Sequence, residues 1–190
     1  MNFNLYRRWN DIPTEAARAF AEILTEAFPE DERRELGEVQ ALVDSSPLEL
    51  LMAEEAGHTL GILMLWDLPE FLFLENFAVR PACRGRGLGK EMLDFTRSHW
   101  DKPAILEVEM PETEICKRRI GFYSRNGFVL NSQPYEMPCL HGDGPSVPLM
   151  LMSRPEPLSD RETLNITRTL YEQVYRGKNQ PDLEKIWKNR

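Results

Sequence analysis

The sequence lacks several things that would each have named a class of protein. Its cysteines are three, Cys83, Cys116 and Cys139, an odd number with no metal-like spacing. That excludes a disulfide framework, leaves no metal site to expect, and points to a reducing compartment, the cytoplasm. No apolar stretch approaches the roughly 18 residues of a membrane span, and Met1 to Arg8 contain no signal-peptide core, so no membrane partner is expected. There is no internal repeat and no low-complexity segment. A basic surplus is also missing: the net charge is −8, which argues against non-specific binding to nucleic acid.

What is present is ordinary in bulk and uneven in distribution. At 190 residues, 42% hydrophobic and 28% charged, the chain is long enough for one domain with a sizeable core. Between Asp11 and Glu55 lie thirteen acids and three bases, a local balance of −10. Between residues 80 and 90 the bases Arg80, Arg84, Arg86 and Lys90 stand with no acid among them. One stretch is suited to attract cations, the other to hold an anion.

The basic stretch reads Arg84-Gly85-Arg86-Gly87-Leu88-Gly89-Lys90, after an apolar run from Phe71 to Val79 and before a helical pattern. Glycines at alternate positions let backbone N–H groups approach a ligand with no Cβ in the way. A helix starting there adds unpaired N–H groups and the positive end of its dipole. The expected guest is a phosphate or pyrophosphate. A Walker loop requires Gly-Lys-Ser/Thr, but Glu91 follows Lys90; the dinucleotide fingerprint requires G-x-G-x-x-G, but the spacing here is G-x-G-x-G. The pattern R-x-x-G-x-G, carried by Arg84, Gly87 and Gly89 after Ala78-Val79-Arg80-Pro81, resembles the acetyl-CoA loop of the GNAT N-acetyltransferases. By itself the hexapeptide also reads as a Gly/Arg-rich surface turn.

Taken in order, the chain gives a short strand at Asn4 to Arg8 and a helix opening near Pro13, with Phe20, Ile23, Leu24, Ala27 and Phe28 on one face. Pro29 stops it. Glu30 to Arg34 reads as a solvated, charged connection, and a second helix spans Glu35 to Asp44. Strands at Leu48 to Glu54 and Thr59 to Trp66 flank a turn that carries His58 as an exposed residue. A strand from Phe71 to Val79, apolar except for Glu75 and Asn76, feeds the glycine loop. Then follow a helix from Leu88 to His99 with Leu88, Met92, Leu93 and Phe95 inward, a strand from Ala104 to Met110, and a helix to Arg125 closed by Gly127. A strand at Phe128 to Leu130, a long loop over 131–146, and a strand from Val147 to Met152 complete the sheet. Ser159 and Glu162 form a capping box for a last helix closed by Gly177; the tail from Lys178 reads as polar, or as a short helix.

A second stretch, Gly121-Phe122-Tyr123-Ser124-Arg125-Asn126-Gly127-Phe128, is similar to the GNAT segment F-Y-x-x-x-G-F at the end of the helix after the fifth strand. The resemblance covers about residues 4 to 153. It implies an α/β (α+β mixed sheet) protein of the GNAT-like acyl-CoA N-acyltransferase fold, a strongly twisted mixed sheet with helices on both faces, plus an extra C-terminal helix. The expected division is a GNAT domain over 1–153 and a C-terminal helix and tail over 154–190.

The resemblance also implies a reaction: direct acetyl transfer from the co-substrate acetyl-CoA to a primary amine, with no metal. Phe77, Ala78 and Val79 would line the cofactor on the strand, and Arg84, Gly85, Arg86, Gly87, Leu88, Gly89 and Lys90 would hold it in the loop. Backbone N–H groups near Phe77 and Ala78 would receive the oxyanion. The family tyrosine sits against the CoA sulfur, so Tyr123 is the candidate acid for the departing thiolate; its plain reading is a core tyrosine at a helix end. A base must take the ammonium proton. Glu75 is the first candidate, since a carboxylate buried bare in an apolar strand is costly, and Glu107, beside Glu109 on the next strand, is the second. Each also reads as a salt-bridge partner, and a path through water stays open.

The match has departures. Cys116 and Arg119 stand where many members have Asn and Ala, which removes an expected contact to the pantetheine arm. Lys117, Arg118 and Arg119 read as phosphate contacts or as a solvated helix start. In the family the segment between the first two helices walls the acceptor site. Here that region holds Glu26, Glu30, Asp31, Glu32 and Glu35, so the expected acceptor is a cationic small molecule or peptide amine. The alternative function is a non-catalytic acetyl-CoA-binding sensing or scaffold module. Nucleic acid is not an expected partner, and a homodimer is an admissible assembly.

Overall fold

From Leu48 to Trp66 nearly every position outside one turn is apolar, and this stretch becomes the buried middle of a sheet. The computed structural model describes residues 1–141, 144–177 and 180–188, and at Asp31 the backbone only. Two compact units divide at Lys102 and Pro103.

The first unit comprises β1 (Asn2–Tyr6), α1 (Thr14–Ala27), α2 (Leu36–Ser45), β2 (Leu48–Glu55), β3 (His58–Asp67), β4 (Leu72–Val79) and α3 (Leu88–His99). Its strands pair antiparallel in the order β1-β2-β3-β4. β2 and β3 are buried along almost their whole length, which is why they read as continuous apolar runs and not as an alternation. The turn between them places Ala56 and Gly57 at φ 51° and 80°, the left-handed pair a tight hairpin requires. α1 buries Ala16, Phe20, Ile23 and Leu24 and packs on β3 and β4; each large side chain so buried contributes about 1.5–3 kcal/mol. α3 turns Leu88, Met92, Leu93 and Thr96 inward. Phe95, expected on that face, is half-buried, stacked on His99 at 3.7 Å and next to Phe3 at 5.3 Å. Gly61 of β3 lies at a close approach: a Cβ there would stand 2.9 Å from Met92 Sδ and 3.3 Å from the Ala78 carbonyl oxygen.

The second unit comprises β5 (Ala104–Glu109), α4 (Glu114–Arg125), β6 (Val129–Leu130), β7 (Tyr135–Met137), β8 (Val147–Arg154), α5 (Asp160–Thr169), a π turn at Leu170–Val174 and α6 (Leu183–Lys188). β8 is its spine, with β5 antiparallel on one edge and β6 and β7 antiparallel on the other. Asn131 fills the gap between β6 and β7. Its N–H and side chain both donate to the Leu151 carbonyl, and its Oδ1 accepts from Leu158 N–H at 2.8 Å. The Ser159–Glu162 capping box opens α5 as expected.

Three readings shift. The first strand lies two residues earlier than Asn4 to Arg8. The stretch 131–146 is not one loop, because Tyr135 and Met137 both turn inward and make β7; its Gly142 lies outside the described residues. The last helix passes into a π turn before Gly177, and of the tail residues 180–188 are described, with α6 at Leu183–Lys188; Lys178 and Arg190 lie outside the described residues.

Candidate active site

β4 ends at Val79, a 3-10 turn covers Pro81–Cys83, and α3 begins at Leu88. Gly85 and Gly87 hold φ of 77° and 87°, where any side chain is strained. A Cβ on either would meet nothing within 4 Å, so the backbone there borders open space. Gly87 is the N-cap and has no side chain to offer. The first helical bond runs from Glu91 N–H to the Gly87 carbonyl at 3.1 Å, so the N–H groups of Leu88, Gly89 and Lys90 precede the ladder. The four bases do not form a single unneutralised cluster. Arg80 pairs with Glu22 at 3.0 Å, Arg86 with Glu55 at 3.5 Å, and Lys90 with Asp94. Arg84 donates to the Val79 carbonyl at 3.2 Å. Pairs this exposed contribute about 0–1 kcal/mol, so the preformed part of this candidate anion site is backbone.

Phe77 and Val79 are half-buried and Ala78 is buried at the end of β4. Upstream the strand carries one extra residue. Leu65 pairs with Leu74 and Leu63 with Phe77, so Glu75 and Asn76 both face Met64, a bulge of the kind common beside active sites. Glu75 is engaged at both oxygens: Oε1 accepts from Arg34 Nε at 2.8 Å and Oε2 from Trp66 Nε1 at 2.7 Å. Arg34 also donates to Glu38 Oε1 at 2.9 Å and lies over the Trp66 ring at 5.6 Å. The Arg34 side chain is 1% exposed and that of Glu75 7%. Arg34 was expected in a solvated run; it turns inward because Glu75 needs a countercharge once it is taken out of water.

In the second unit Tyr123 ends α4, buried, with its ring edge-on to Phe122 and Phe128 at 5.3 and 5.7 Å. Gly127 closes the helix behind it, and the Tyr123 carbonyl accepts from Asn126 and Phe128 N–H. The Tyr123 hydroxyl makes no hydrogen bond among the described residues. Burial pushes its phenol up to about 12, with Arg119 pulling weakly the other way, so the group is protonated throughout the neutral range.

Glu107 on β5 is engaged differently. It accepts from Tyr135 Oη, and Tyr175 Oη lies 2.8 Å from each of its oxygens. Burial first, then the Glu107 carboxylate, pushes the Tyr135 phenol well up. Tyr171 donates to the Glu136 carbonyl at 2.6 Å, so two tyrosines from the C-terminal helix are built into this unit. Glu109 pairs with Arg119, and Lys117 with Glu114 at 3.0 Å. Cys116 is buried under its own helix cap, Thr113.

Arg34, Trp66, Asn76 and Tyr175 were not singled out from the sequence. Glu75 and Asn76 as adjacent polar residues in an apolar strand were the available signal for the first three. Nothing local marks Tyr175.

A family model, the acetyltransferase (GNAT) domain, matches residues 46–130, from β2 through the glycine loop to just past Tyr123. A solved Bacteroides thetaiotaomicron protein classed as a GNAT-family acetyltransferase is 30% identical, with a TM-score of 0.84 over 92% of this chain and 98% of its own. YjbC of Bacillus subtilis (strain 168), also classed as an acetyltransferase, is 26% identical over 162 residues, 84% of this chain and 82% of its own. An aminoglycoside 6′-N-acetyltransferase complexed with coenzyme A is 13% identical with a TM-score of 0.59, over 84% of this chain and 100% of its own; that likeness is one of fold alone. The chain belongs to the GNAT acetyltransferase family and has the acyl-CoA N-acyltransferase fold. Its reaction class is acetyl transfer, with acetyl-CoA as the co-substrate that the fold binds.

Proposed function

We propose that the protein moves the acetyl group of acetyl-CoA directly to a primary amine of a cationic small molecule or basic peptide. The observation that carries the cofactor placement is the loop after β4. Two glycines in left-handed backbone border open space, at the uncapped start of α3, where a pyrophosphate satisfies the N–H groups of Gly85 to Lys90. The pantetheine arm runs along Phe77 to Val79. In this reading residues 1–153 carry the reaction and 154–190 form the C-terminal helix and tail. The unpaired thiols Cys83, Cys116 and Cys139 suit a cytoplasmic location.

The chemistry follows from the groups available. A neutral amine attacks the thioester carbonyl, and backbone N–H groups of β4 receive the oxyanion. The C–S bond breaks, and the thiolate takes the proton of Tyr123, whose hydroxyl has no other partner among the described residues. A buried phenol near 12 donates uphill to a thiolate whose thiol titrates at about 8.5, so the tyrosinate is short-lived and is reprotonated, through water, by the proton that the acylated nitrogen gives up to become a neutral amide.

The acceptor assignment is supported by a smaller acidic surface than composition suggests. Glu22, Glu38, Glu49 and Glu55 are tied to Arg80, Arg34, Arg7 and Arg86. Glu26, Glu30 and Glu35 are exposed and pair with no base among the described residues. These three raise the local concentration of a cationic amine. The test is thiol release from acetyl-CoA with polyamines, aminoglycosides and basic peptides. The triple variant Glu26→Gln, Glu30→Gln, Glu35→Gln is expected to raise KM for the amine and leave coenzyme A binding alone; an unchanged KM removes the charged wall.

A further inference from the structure

The bulge in β4 leaves one polar atom unanswered. Asn76 is 5% exposed, and its Oδ1 is fully buried with no hydrogen-bond partner among the described residues. A buried acceptor without a donor carries the full penalty of leaving water, and such atoms in folded proteins call for an explanation.

The strand register says where this side chain points. Leu74, Phe77 and Val79 lie opposite Leu65, Leu63 and Gly61, and this is the face toward α3, since a Cβ on Gly61 would meet Met92 Sδ at 2.9 Å and Val79 Cγ2 at 3.5 Å. Ala78 with Ile62, and Phe73 with Trp66, lie on the opposite face. Glu75 is on that opposite face too, because it receives the Trp66 indole N–H. Alternation counted back from Ala78 puts Asn76 there as well. An unbroken strand would send consecutive side chains to opposite faces; the extra residue brings Glu75 and Asn76 to one face side by side. Their states differ. Glu75 has Arg34 and Trp66 at its two oxygens; the Asn76 amide oxygen has no partner among the described residues.

We propose that Asn76 Oδ1 receives an N–H of the attacking amine, and that Glu75 with Arg34 is the positioning pair that holds the bulge. This rests on the acetyl-transfer reading and names a residue that selects the acceptor. The ligand class is a primary amine, met on the face of β4 that carries Glu75 and Asn76. The amide takes no proton. It accepts one N–H hydrogen bond, which turns the nitrogen lone pair toward the thioester carbonyl. As the C–N bond forms and the C–S bond breaks, the amine's proton leaves to water and the thiolate is protonated by Tyr123. A neutral acceptor here also discriminates: an alcohol offers one O–H and no second hydrogen to leave on acylation, while a tertiary amine has no N–H to donate.

The test is Asn76→Leu, which removes the amide and keeps the volume. With acetyl-CoA and the best amine of the panel, KM for the amine is expected to rise about tenfold or more, since a hydrogen bond to the substrate is lost. KM for acetyl-CoA should stay within about twofold, the mark of a contact confined to the amine, and Tm should hold or rise because an unsatisfied buried atom is gone. Asn76→Ala reads the same two KM values if the leucine variant is insoluble. Glu75→Gln is expected to lower Tm and keep the acidic limb of the pH profile of kcat/KM. A lowered Tm with unchanged amine KM in Asn76→Leu would show an amide satisfied by structural water and overturn the proposal. A rise in KM for acetyl-CoA instead would assign the amide to the pantetheine arm. Loss of the acidic limb in Glu75→Gln would make Glu75 the base. Wild-type protein that binds no coenzyme A overturns the acetyl-transfer reading and this inference with it; intact transfer with unchanged KM for the amine in Asn76→Leu overturns this inference alone.

Discussion

Tyr123 and the pair Tyr135 and Tyr175 are phenols of one unit, all buried to a similar degree, and they differ in what their hydroxyls do. Tyr135 and Tyr175 donate to the Glu107 carboxylate. Tyr123 donates to nothing among the described residues. Glu75 and Asn76 repeat the contrast in the first unit, one satisfied by Arg34 and Trp66 and one not. Burial alone therefore does not separate a working group from a structural one; a hydrogen-bonding atom left unused is the difference to be tested at these two positions.

The sharpest break of this contrast is Tyr123→Phe. It removes a proton and no hydrogen bond, so kcat should fall by about 10²- to 10⁴-fold, the range for one general acid, while stability and coenzyme A affinity hold. Unchanged kcat with a good amine would hand the proton to water or to Tyr135. Glu75→Gln comes next, on stability. It leaves Arg34 buried with only part of its partners, and removing one member of a buried pair costs about 3–5 kcal/mol; urea unfolding that shows less than about 1 kcal/mol, the worth of an exposed pair, would mean Glu75 is not the countercharge. Tyr175→Phe should cost about 1.5–3 kcal/mol, the worth of a hydrogen bond to a charged group, with kcat nearly unchanged, the reverse of Tyr123→Phe. Gly87→Ala should cost about 1–2 kcal/mol from left-handed backbone and weaken coenzyme A binding, although the space beside it is open.

The alkaline limb of stability sharpens the same comparison. Tyr123 titrates at about 12 in the folded protein against a usual value of 10.0, so the folded state holds its proton more tightly than the unfolded chain. Its contribution is full below about 10 and is lost as pH rises from there toward about 12. Tyr135 is pushed well above its usual value, burial first and the Glu107 carboxylate second, and its window extends higher. Tyr123→Phe should flatten the fall in stability between about 10 and about 12 and leave the fall above it in place, whereas Tyr135→Phe should flatten it both there and at higher pH. Tyrosinate absorbance against pH, followed beside Tm, reads both.

Much of this was legible in the sequence where the signal is local. The Leu88–His99 helix has its expected bounds, and the Ser159–Glu162 cap is where its pattern placed it. Glycine spacing raised the loop at 84–90, and resemblance to the family pattern raised the Tyr123 segment. What stayed hidden depends on distance along the chain. Arg34 looked solvated because its partner Glu75 is 41 residues away, and Tyr175 reaches Glu107 across 68. The bulge shows only in the register against β3, since an extra residue in one strand leaves no mark until the partner strand is in place. β7 was missed because three residues between prolines carry too little alternation to stand out.

The most direct test of the account is thiol release from acetyl-CoA by wild-type protein and Tyr123→Phe, with cationic and neutral amines, at ionic strengths on either side of about 0.1 M, where the Debye length is about 10 Å. The account predicts turnover with a cationic amine, a kcat/KM that falls as salt rises, and a Tyr123→Phe variant that binds coenzyme A but scarcely releases thiol. Coenzyme A bound tightly with no thiol released to any amine, or Tyr123→Phe as fast as wild type, would contradict it.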